Sequence, residues 1–290
     1  MKKNGLQKAK IALSILLAIW ILLACVAVAM MIASYTVEFT ARVLPDYARE
    51  DLSPVLQKNA WTEEDYTFLF RQTGLGKPAL DDLKKRSASV TEYEKYQEAF
   101  FYEGTLVHDM AAFTTPHDSM EEDFYFPVAP LHDGDVILSS ACHTFGWRNG
   151  HAALIVDAQK GLTFESFDPG TPSGYGSVKW FLNSSNFMVL RLKEEYRAQT
   201  NPAKIAAGAL ETLMEVPYDL TVGVLSPKDQ CKDGRTPTAT QCGHIVWQAF
   251  KNFGYDVDAN GGLVVVPRDI ARSPYFEVVQ INGFSVDKLW

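Results

Sequence analysis

The longest unbroken run of apolar positions covers residues 11–33, close to the amino terminus, and it contains no charged residue. A helix of this length, rising about 1.5 Å per residue, spans the roughly 30 Å hydrocarbon core of a bilayer. The pattern therefore predicts a transmembrane helix over residues 11–33, preceded by a short basic leader over residues 1–10.

Basic residues are distributed unevenly around this run. Four lysines lie in the leader (Lys2, Lys3, Lys8 and Lys10), whereas Arg42 and Arg49 are the basic residues that follow the run closely. Because basic loops are retained in the cytoplasm, the asymmetry predicts a cytoplasmic amino terminus and an extracytoplasmic main domain. Cleavage as a signal peptide near residues 27–29 and lipidation at Cys25 are the alternatives. The apolar run is long for a signal peptide and continues past Cys25, which favours an uncleaved anchor in the cell membrane.

Beyond the run, the apolar pattern becomes helical. Helices are predicted over residues 52–58, 61–72 and 79–85, with breaks at Pro45, Gly74 and Pro78. We interpret residues 34–114 as a helical juxtamembrane segment that spaces or covers the remaining domain. Residues 115–130 are acidic and punctuated by proline, which predicts a loop.

From residue 131 onward the pattern is rich in strands. Strands are predicted over residues 135–138, 151–156, 162–167, 187–192 and 275–281. A helix is predicted from Asn201 to about Met214, an irregular segment over residues 217–239, and a second helix after it. These elements predict an α+β domain over residues 115–290.

Composition and motifs limit the partners. The net charge of −8 includes the basic leader, so the remainder is more acidic still and matches nucleic acid poorly. The sequence contains no Gly-rich phosphate loop and no Cys/His metal spacing, so it predicts neither cofactor nor metal. His117, Asp118 and the acidic residues 121–123 form a solvated turn more readily than a metal site.

Cys242 begins an amphipathic helix whose apolar residues recur at three- and four-residue steps. Those residues are Ile245, Val246, Ala249, Phe250 and Phe253. With Thr240 as the N-cap, Cys242 falls in the first turn, where the helix dipole favours a thiolate. His151 begins a predicted strand and supplies the imidazole that a cysteine hydrolase needs. Structural roles in packing are the alternatives for both residues.

The remaining cysteines leave two interpretations open. Outside the cell Cys142 and Cys231 are able to form a disulfide, and they are equally able to stay reduced and unrelated. Cys142 and His143 also precede the His151 strand, in a position from which they could line a cleft.

The order of several motifs resembles the YiiX-like permuted branch of the NlpC-type, papain-like cysteine hydrolases. The motifs are Gly134-Asp135 with its strand, Gly150-His151 with its strand, Phe164-Glu165-Ser166, Thr240-Gln241-Cys242 and residues 267–273. In ordinary members the cysteine helix comes first, whereas in the permuted branch it follows the strands, as it does in this sequence. The resemblance covers about residues 131–280 and implies a circularly permuted papain-like fold.

The resemblance also implies roles for individual residues. Cys242 would be the nucleophile, His151 its proton acceptor or imidazolium partner, and Glu165 the third polar residue, which orients the ring. Whether Glu165 and His151 share a face of the sheet depends on hairpin register, which the sequence does not determine. Asp157 and Asp168 are the rival orienting residues.

Further residues are predicted to contact substrate. Trp147 and Tyr218 occupy turn-rich segments, and Gln241 and Gly243 flank the cysteine. Gly243 departs from the family pattern, in which Ser or Thr often follows the cysteine. His244 is expected to point away from the site, towards the surface or behind the catalytic residues. The absence of a Gly-x-Ser-x-Gly elbow argues against a serine hydrolase.

The predicted function is thiol-dependent hydrolysis of a peptide or N-acyl amide bond at the cell envelope. One alternative keeps the thioester chemistry but acts on lipids, as in acyltransferases of the lecithin–retinol type. Another is a non-catalytic envelope-binding module. The partners predicted are a peptide, N-acyl or lipid substrate and the membrane that residues 11–33 enter. An open polar groove beside Cys242 would favour peptides, and a deep apolar tunnel would favour acyl chains.

Overall fold

The computed structural model describes residues 2–38, 41–111, 114–288 and Trp290. The helices are α1 (Lys2–Glu38), α2 (Ser53–Leu56), α3 (Glu63–Thr73), α4 (Lys77–Lys85), α5 (Val90–Phe100), α6 (Val178–Asn183), α7 (Glu194–Arg197), α8 (Pro202–Thr212), α9 (Cys242–Lys251) and α10 (Pro267–Ala271). The strands are β1 (Leu106–Ala111), β2 (Thr114–Met120), β3 (Val136–Ser139), β4 (His143–Thr144), β5 (His151–Asp157), β6 (Leu162–Glu165), β7 (Gly174–Ser177), β8 (Phe187–Leu192) and β9 (Phe276–Asn282).

Helix α1 carries the apolar run. Its stretch Lys10–Val37 is long and apolar enough to cross a membrane. Side chains such as Leu13 and Trp20 are exposed along it instead of packing on the domain. The predicted span at residues 11–33 is therefore present as part of one long apolar helix, which is consistent with membrane anchoring.

A six-stranded antiparallel sheet, in the order β7-β6-β5-β3-β8-β9, forms the centre of the domain. Because side chains alternate along a strand, the strands β5, β3, β8 and β9 each contribute to two apolar clusters. Leu154 packs with α8, α9 and α10, whereas Ile155 packs with α3 to α6. Helices thus cover both faces of the sheet, in agreement with the predicted α+β class.

The helical segment after α1 is one of these covering layers and not only a spacer. Gly76 N donates to Val279 O across 2.8 Å, and Leu75 forms a β-bridge with Gln280. Helix α3 begins at Glu63, two residues after the predicted start, because the Thr62 side chain caps it and Asp65 completes a capping box.

Helix α5 was not individually predicted. Its buried residues include Tyr93, Tyr96 and Gln97, so the face that packs inward is not marked by aliphatic side chains. The sequence also does not predict strand β7 or helix α6, since each is short and has no clear hydrophobic periodicity.

The predicted loop over residues 115–130 is wrong at its start, where β2 pairs with β1 and β4 in a three-stranded sheet. The carboxylate of Asp118 is fully buried in this strand, 2.8 Å from Arg148 and 2.6 Å from His108. The sequence suggested a solvated turn for Asp118 and the acidic residues 121–123, because Arg148, which pairs with Asp118, is 30 residues away in the chain. The β1–β2 pairing also crosses the domain boundary predicted between residues 114 and 115.

Candidate active site

Cys242 is the first residue of α9, at the end of the sheet where β5 begins. The N-cap is Gln241, so the prediction of Thr240 is wrong by one residue. The Gln241 side chain accepts from Gly243 N at 2.7 Å, and its Nε2 donates to Val265 O at 2.6 Å. Gln241 therefore both caps the helix and fixes the position from which the thiol projects.

The imidazole of His151 lies between Cys242 and Glu165. Its Nε2 is 2.5 Å from Glu165 Oε2, and Cys242 lies close enough to help raise the pKa of the ring. Since Glu165 occupies Nε2, Nδ1 is the nitrogen left available to sulfur. A thiol, an imidazole and a carboxylate that follow one another in space in this order form the arrangement that cysteine hydrolases use.

Strand register decides that Glu165 reaches His151. Ile155 of β5 pairs with Thr163 of β6, which puts Glu165 on the same face as Ala153 and His151. The hydroxyl of Thr163 donates to the other Glu165 oxygen at 3.2 Å. Of the rival carboxylates, Asp157 pairs with Lys160 at the far end of β5. Asp168 lines the cleft, but Glu165 holds the position at Nε2.

The electrostatics of the site favour a charged imidazole. Burial by itself lowers the pKa of His151, but the hydrogen bonds to Cys242 and Glu165 outweigh it and raise that pKa to about 10. Neighbouring groups behave differently, since burial raises the pKa of the Cys142 thiol and of the Tyr218 hydroxyl. A protonated His151 places a positive charge next to the candidate nucleophile.

Aromatic rings surround the imidazole, and sequence reasoning missed them. Phe181 stacks on His151 with ring centroids 5.4 Å apart, while Trp180 and Phe167 approach it edge-on. Trp180 and Phe181 belong to α6, a six-residue helix without a catalytic motif. Only tertiary packing brings these rings to His151, where they hold its plane between sulfur and carboxylate.

A cleft of about 270 Å³ opens beside Cys242 and His151. Trp147, Tyr218 and Gln241 line it, in the positions where substrate contact was predicted. Tyr218 is held there by a parallel bridge to Thr240. Cys142 and His143 line the cleft as well.

Gly243 is not among the residues that line this cleft, and its contact with substrate stays a prediction. A Cβ at this position would stand 2.4 Å from the carbonyl oxygen of Val265. The departure from Ser or Thr thus has a steric cause, because the backbone of Val265 closes over the start of α9.

His244 is buried instead of lying at the surface. Its Nε2 is 2.6 Å from Lys228 O, and its Nδ1 is 2.8 Å from Thr240 Oγ1. The side of α9 that carries His244 does not face solvent, because the irregular segment 217–239 covers it. Of the two predicted positions, behind the catalytic residues or at the surface, the surface position is wrong.

All four cysteines are free, so Cys142 and Cys231 do not form the disulfide that the sequence left open. The Cys142 thiol donates to Pro116 O at 2.5 Å, and Cys231 lies 3.8 Å from Gln248 Oε1. The two thiols thus have separate partners.

The residues considered for a metal have other contacts. His117 stacks on Trp180 and lies 2.9 Å from Ser184 Oγ, while Asp118 forms its ion pair with Arg148. Among the residues that the structure describes, no group of three or more His, Cys, Asp or Glu side chains is arranged to hold a metal ion.

Comparisons with protein families, with curated proteins and with solved structures find no match for this chain. A proposal about its function therefore depends on the geometry and chemistry of the site itself.

Proposed function

We propose that this chain is a membrane-anchored thiol hydrolase that cleaves a peptide or N-acyl amide bond at the cell envelope. The observation that carries the proposal is the position of the His151 imidazole between the Cys242 thiol and the Glu165 carboxylate. Three side chains from α9, β5 and β6 meet at one end of the sheet, beside a cleft open to substrate.

In the proposed reaction the Cys242 thiolate attacks the carbonyl carbon of the amide, and a C–S bond forms. The backbone N–H of Cys242 lies at the first helical position, has no acceptor within its own helix, and is suited to bind the developing oxyanion. The C–N bond then breaks as His151 gives its proton to the leaving amine. His151 then takes a proton from water, which attacks the thioester carbon; the C–S bond breaks, the carboxylic acid leaves, and the thiolate of Cys242 is restored beside a protonated His151.

We also propose that the domain is a circularly permuted papain-like fold of the YiiX-like NlpC type. Helix α9 follows β3, β5 and β6 in the chain, yet it packs against β5 with Cys242 next to His151. This order of helix and strands supports the permutation that the motifs imply.

The membrane anchor in this proposal is α1, with the basic leader in the cytoplasm and the catalytic domain outside. Its support is the apolar stretch Lys10–Val37 together with the lysines before it. Protease added outside intact cells should digest the domain and leave a short membrane-bound stub. Full protection of the domain would contradict the orientation, and a soluble product beginning near Met30 would contradict the anchor.

Selective alkylation of Cys242 tests the chemistry. At neutral pH, iodoacetamide should label Cys242 faster than Cys142 or Cys231, since burial raises the pKa of both other thiols. His151→Ala should slow the labelling of Cys242 by removing its imidazolium partner. Labelling that is slow and indifferent to His151→Ala would favour the non-catalytic binding module instead.

A second candidate is acyl transfer or thioester hydrolysis on lipids. The observation that favours it is the apolar wall of the cleft, which includes Trp147, Phe167 and Leu220. A panel of short peptides, N-acyl amino acids and phospholipids separates the two, with Cys242→Ser as the inactive control. Turnover of the amides alone is the expected result, and turnover of phospholipids alone would replace the first proposal with the second.

A further inference from the structure

Large apolar side chains are exposed around the mouth of the cleft. Trp147, in the cleft wall, is 60% exposed. Leu225 and Leu263 are 80% and 73% exposed, and Leu263 directly precedes the lining residue Val264. The loops that carry the two leucines touch, since a Cβ at Gly223 would stand 1.9 Å from Leu263 O. Exposed apolar groups gathered around one cleft mark a surface that contacts protein or membrane.

The rim on the Trp147 side is a tight turn that contains Phe145 and Gly146. Thr144 and Trp147 exchange two backbone hydrogen bonds of 2.9 Å, and both central residues, Phe145 and Gly146, have positive φ. Positive φ is costly for a bulky residue and persists where the surroundings impose it. Phe145 is 45% exposed in this conformation.

The end of α1 is attached to this turn. Gly146 lies against α1, where a Cβ would stand 3.0 Å from Cβ of Ala33. Arg148 donates to the carbonyl oxygen of Val37 at 2.6 Å and to buried Asp118 at 2.8 Å. The turn is therefore fixed beside the last residues of the apolar stretch of α1.

The chain just after α1 is fixed at the same end of the sheet. Arg42 donates to Ser185 O at 2.9 Å and to Asn282 Oδ1 at 2.7 Å. Asn282 ends β9, Ser185 precedes β8, and His151 begins β5, so α1 leaves the domain at its catalytic end. The opposite end of β5, at Asp157, is about 20 Å away at roughly 3.3 Å per residue.

The length of α1 determines where the turn Phe145–Trp147 lies relative to the membrane. The stretch Lys10–Val37 is 28 residues long, about 42 Å of helix at 1.5 Å per residue, which exceeds the roughly 30 Å hydrocarbon core. Residues from Ala33 to Val37 then lie at the membrane surface, and so does the turn attached to them. Tryptophan is enriched at this headgroup level because its ring is both apolar and polar.

We infer that the cleft rim, defined as the turn Phe145–Trp147 with Leu225 and Leu263, inserts into the leaflet at which α1 ends. The inference rests on the proposed membrane anchor. We assign the headgroup region of a neutral lipid bilayer as its partner, because the rim offers exposed apolar side chains and the chain as a whole carries a net charge of −8, which disfavours anionic lipid. The mouth of the cleft then opens at the lipid surface, within reach of amphiphilic substrates lodged in the membrane.

Quenching by brominated lipid tests the inference on the full-length protein. The probe is a phosphatidylcholine vesicle whose acyl chains carry bromine either near the headgroup or near the middle of the bilayer. Trp20 lies in the apolar stretch and reports the anchor, whereas Trp147 reports the rim. Trp147→Phe should abolish most of the shallow quenching, and Trp20→Phe most of the deep quenching. Trp147 is exposed, so its replacement removes no core contact.

Added tryptophans test the opposite side of the rim. Leu225→Trp should gain a shallow-quenched component, whereas Gln159→Trp, on the exposed hairpin beyond Asp157, should gain none. Deep quenching of Trp20 with no shallow quenching of Trp147 or of the Leu225→Trp variant would overturn rim insertion while leaving the anchor intact. Absence of quenching from Trp20 would overturn the anchor and the inference with it.

Discussion

The carboxylate of Glu165 occupies the space that a side chain at Gly176 would fill. A Cβ built on Gly176 would stand 1.4 Å from Glu165 Oε1 and 2.7 Å from Thr163 Oγ1. Gly176 in β7 pairs with Thr163 in β6, so the two glycines of β7 leave a gap over the catalytic hairpin. Glu165 turns into that gap and reaches Nε2 of His151.

Gly176→Ala should therefore displace Glu165 from His151. We expect kcat to fall by about 100-fold, the order of magnitude for a catalytic group moved by roughly 1 Å. Gly174→Ala is the matched control in the same strand, because its Cβ would meet nothing closer than 4.0 Å. Steady-state kinetics of the two variants check the prediction, and equal losses in both would contradict it.

Glu165→Gln should shift the basic limb of the pH dependence of kcat to lower pH. The hydrogen bond and charge of Glu165 help to raise the pKa of His151 to about 10, and the imidazolium–thiolate pair is lost as pH rises through that value. Without the carboxylate the limb should shift to lower pH, and kcat should fall by roughly 100-fold. Asp157→Asn, which alters the rival carboxylate paired with Lys160, should change neither.

Protonation of His151 should also contribute to stability. A group whose pKa is raised from 6.5 to about 10 on folding stabilises the folded state fully below pH 6.5, and this contribution disappears as pH rises towards 10. Replacement of His151 by Gln should therefore flatten the decline in unfolding free energy across that interval. Denaturant titrations at several pH values measure it, and an unchanged slope would count against a charged imidazole.

Arg191 should be among the most costly residues to remove. It donates to both oxygens of buried Asp135 at 2.8 Å and also reaches Asp82. Arg191→Leu leaves Asp135 buried without its charged partner, which should lower the free energy of unfolding by about 3–5 kcal/mol. Lys160→Ala breaks an exposed pair with Asp157 and should change the free energy of unfolding far less. Chemical denaturation compares them, and a loss below 1 kcal/mol for Arg191→Leu would refute the argument.

Local patterns in the sequence predicted much of what the structure contains. The apolar run over residues 11–33, the strands that begin near His151 and Phe187, and the helix predicted from Asn201 each depend on neighbours within one element. Period, capping chemistry and proline position act over a few residues, so they are readable without the fold. The position of Cys242 in a first turn is of this kind, although the capping residue is Gln241.

The tertiary structure alone decided which distant groups meet. Hairpin register put Glu165 at His151, α6 supplied Phe181 and Trp180, and β7 left the gap at Gly176. Likewise, Asp118 became a buried strand residue because Arg148 lies beside it in space. These contacts depend on register and packing between elements far apart in the chain. Local propensity carries no information about register or packing. A shift of one residue in register moves every side chain of a strand to the opposite face of the sheet.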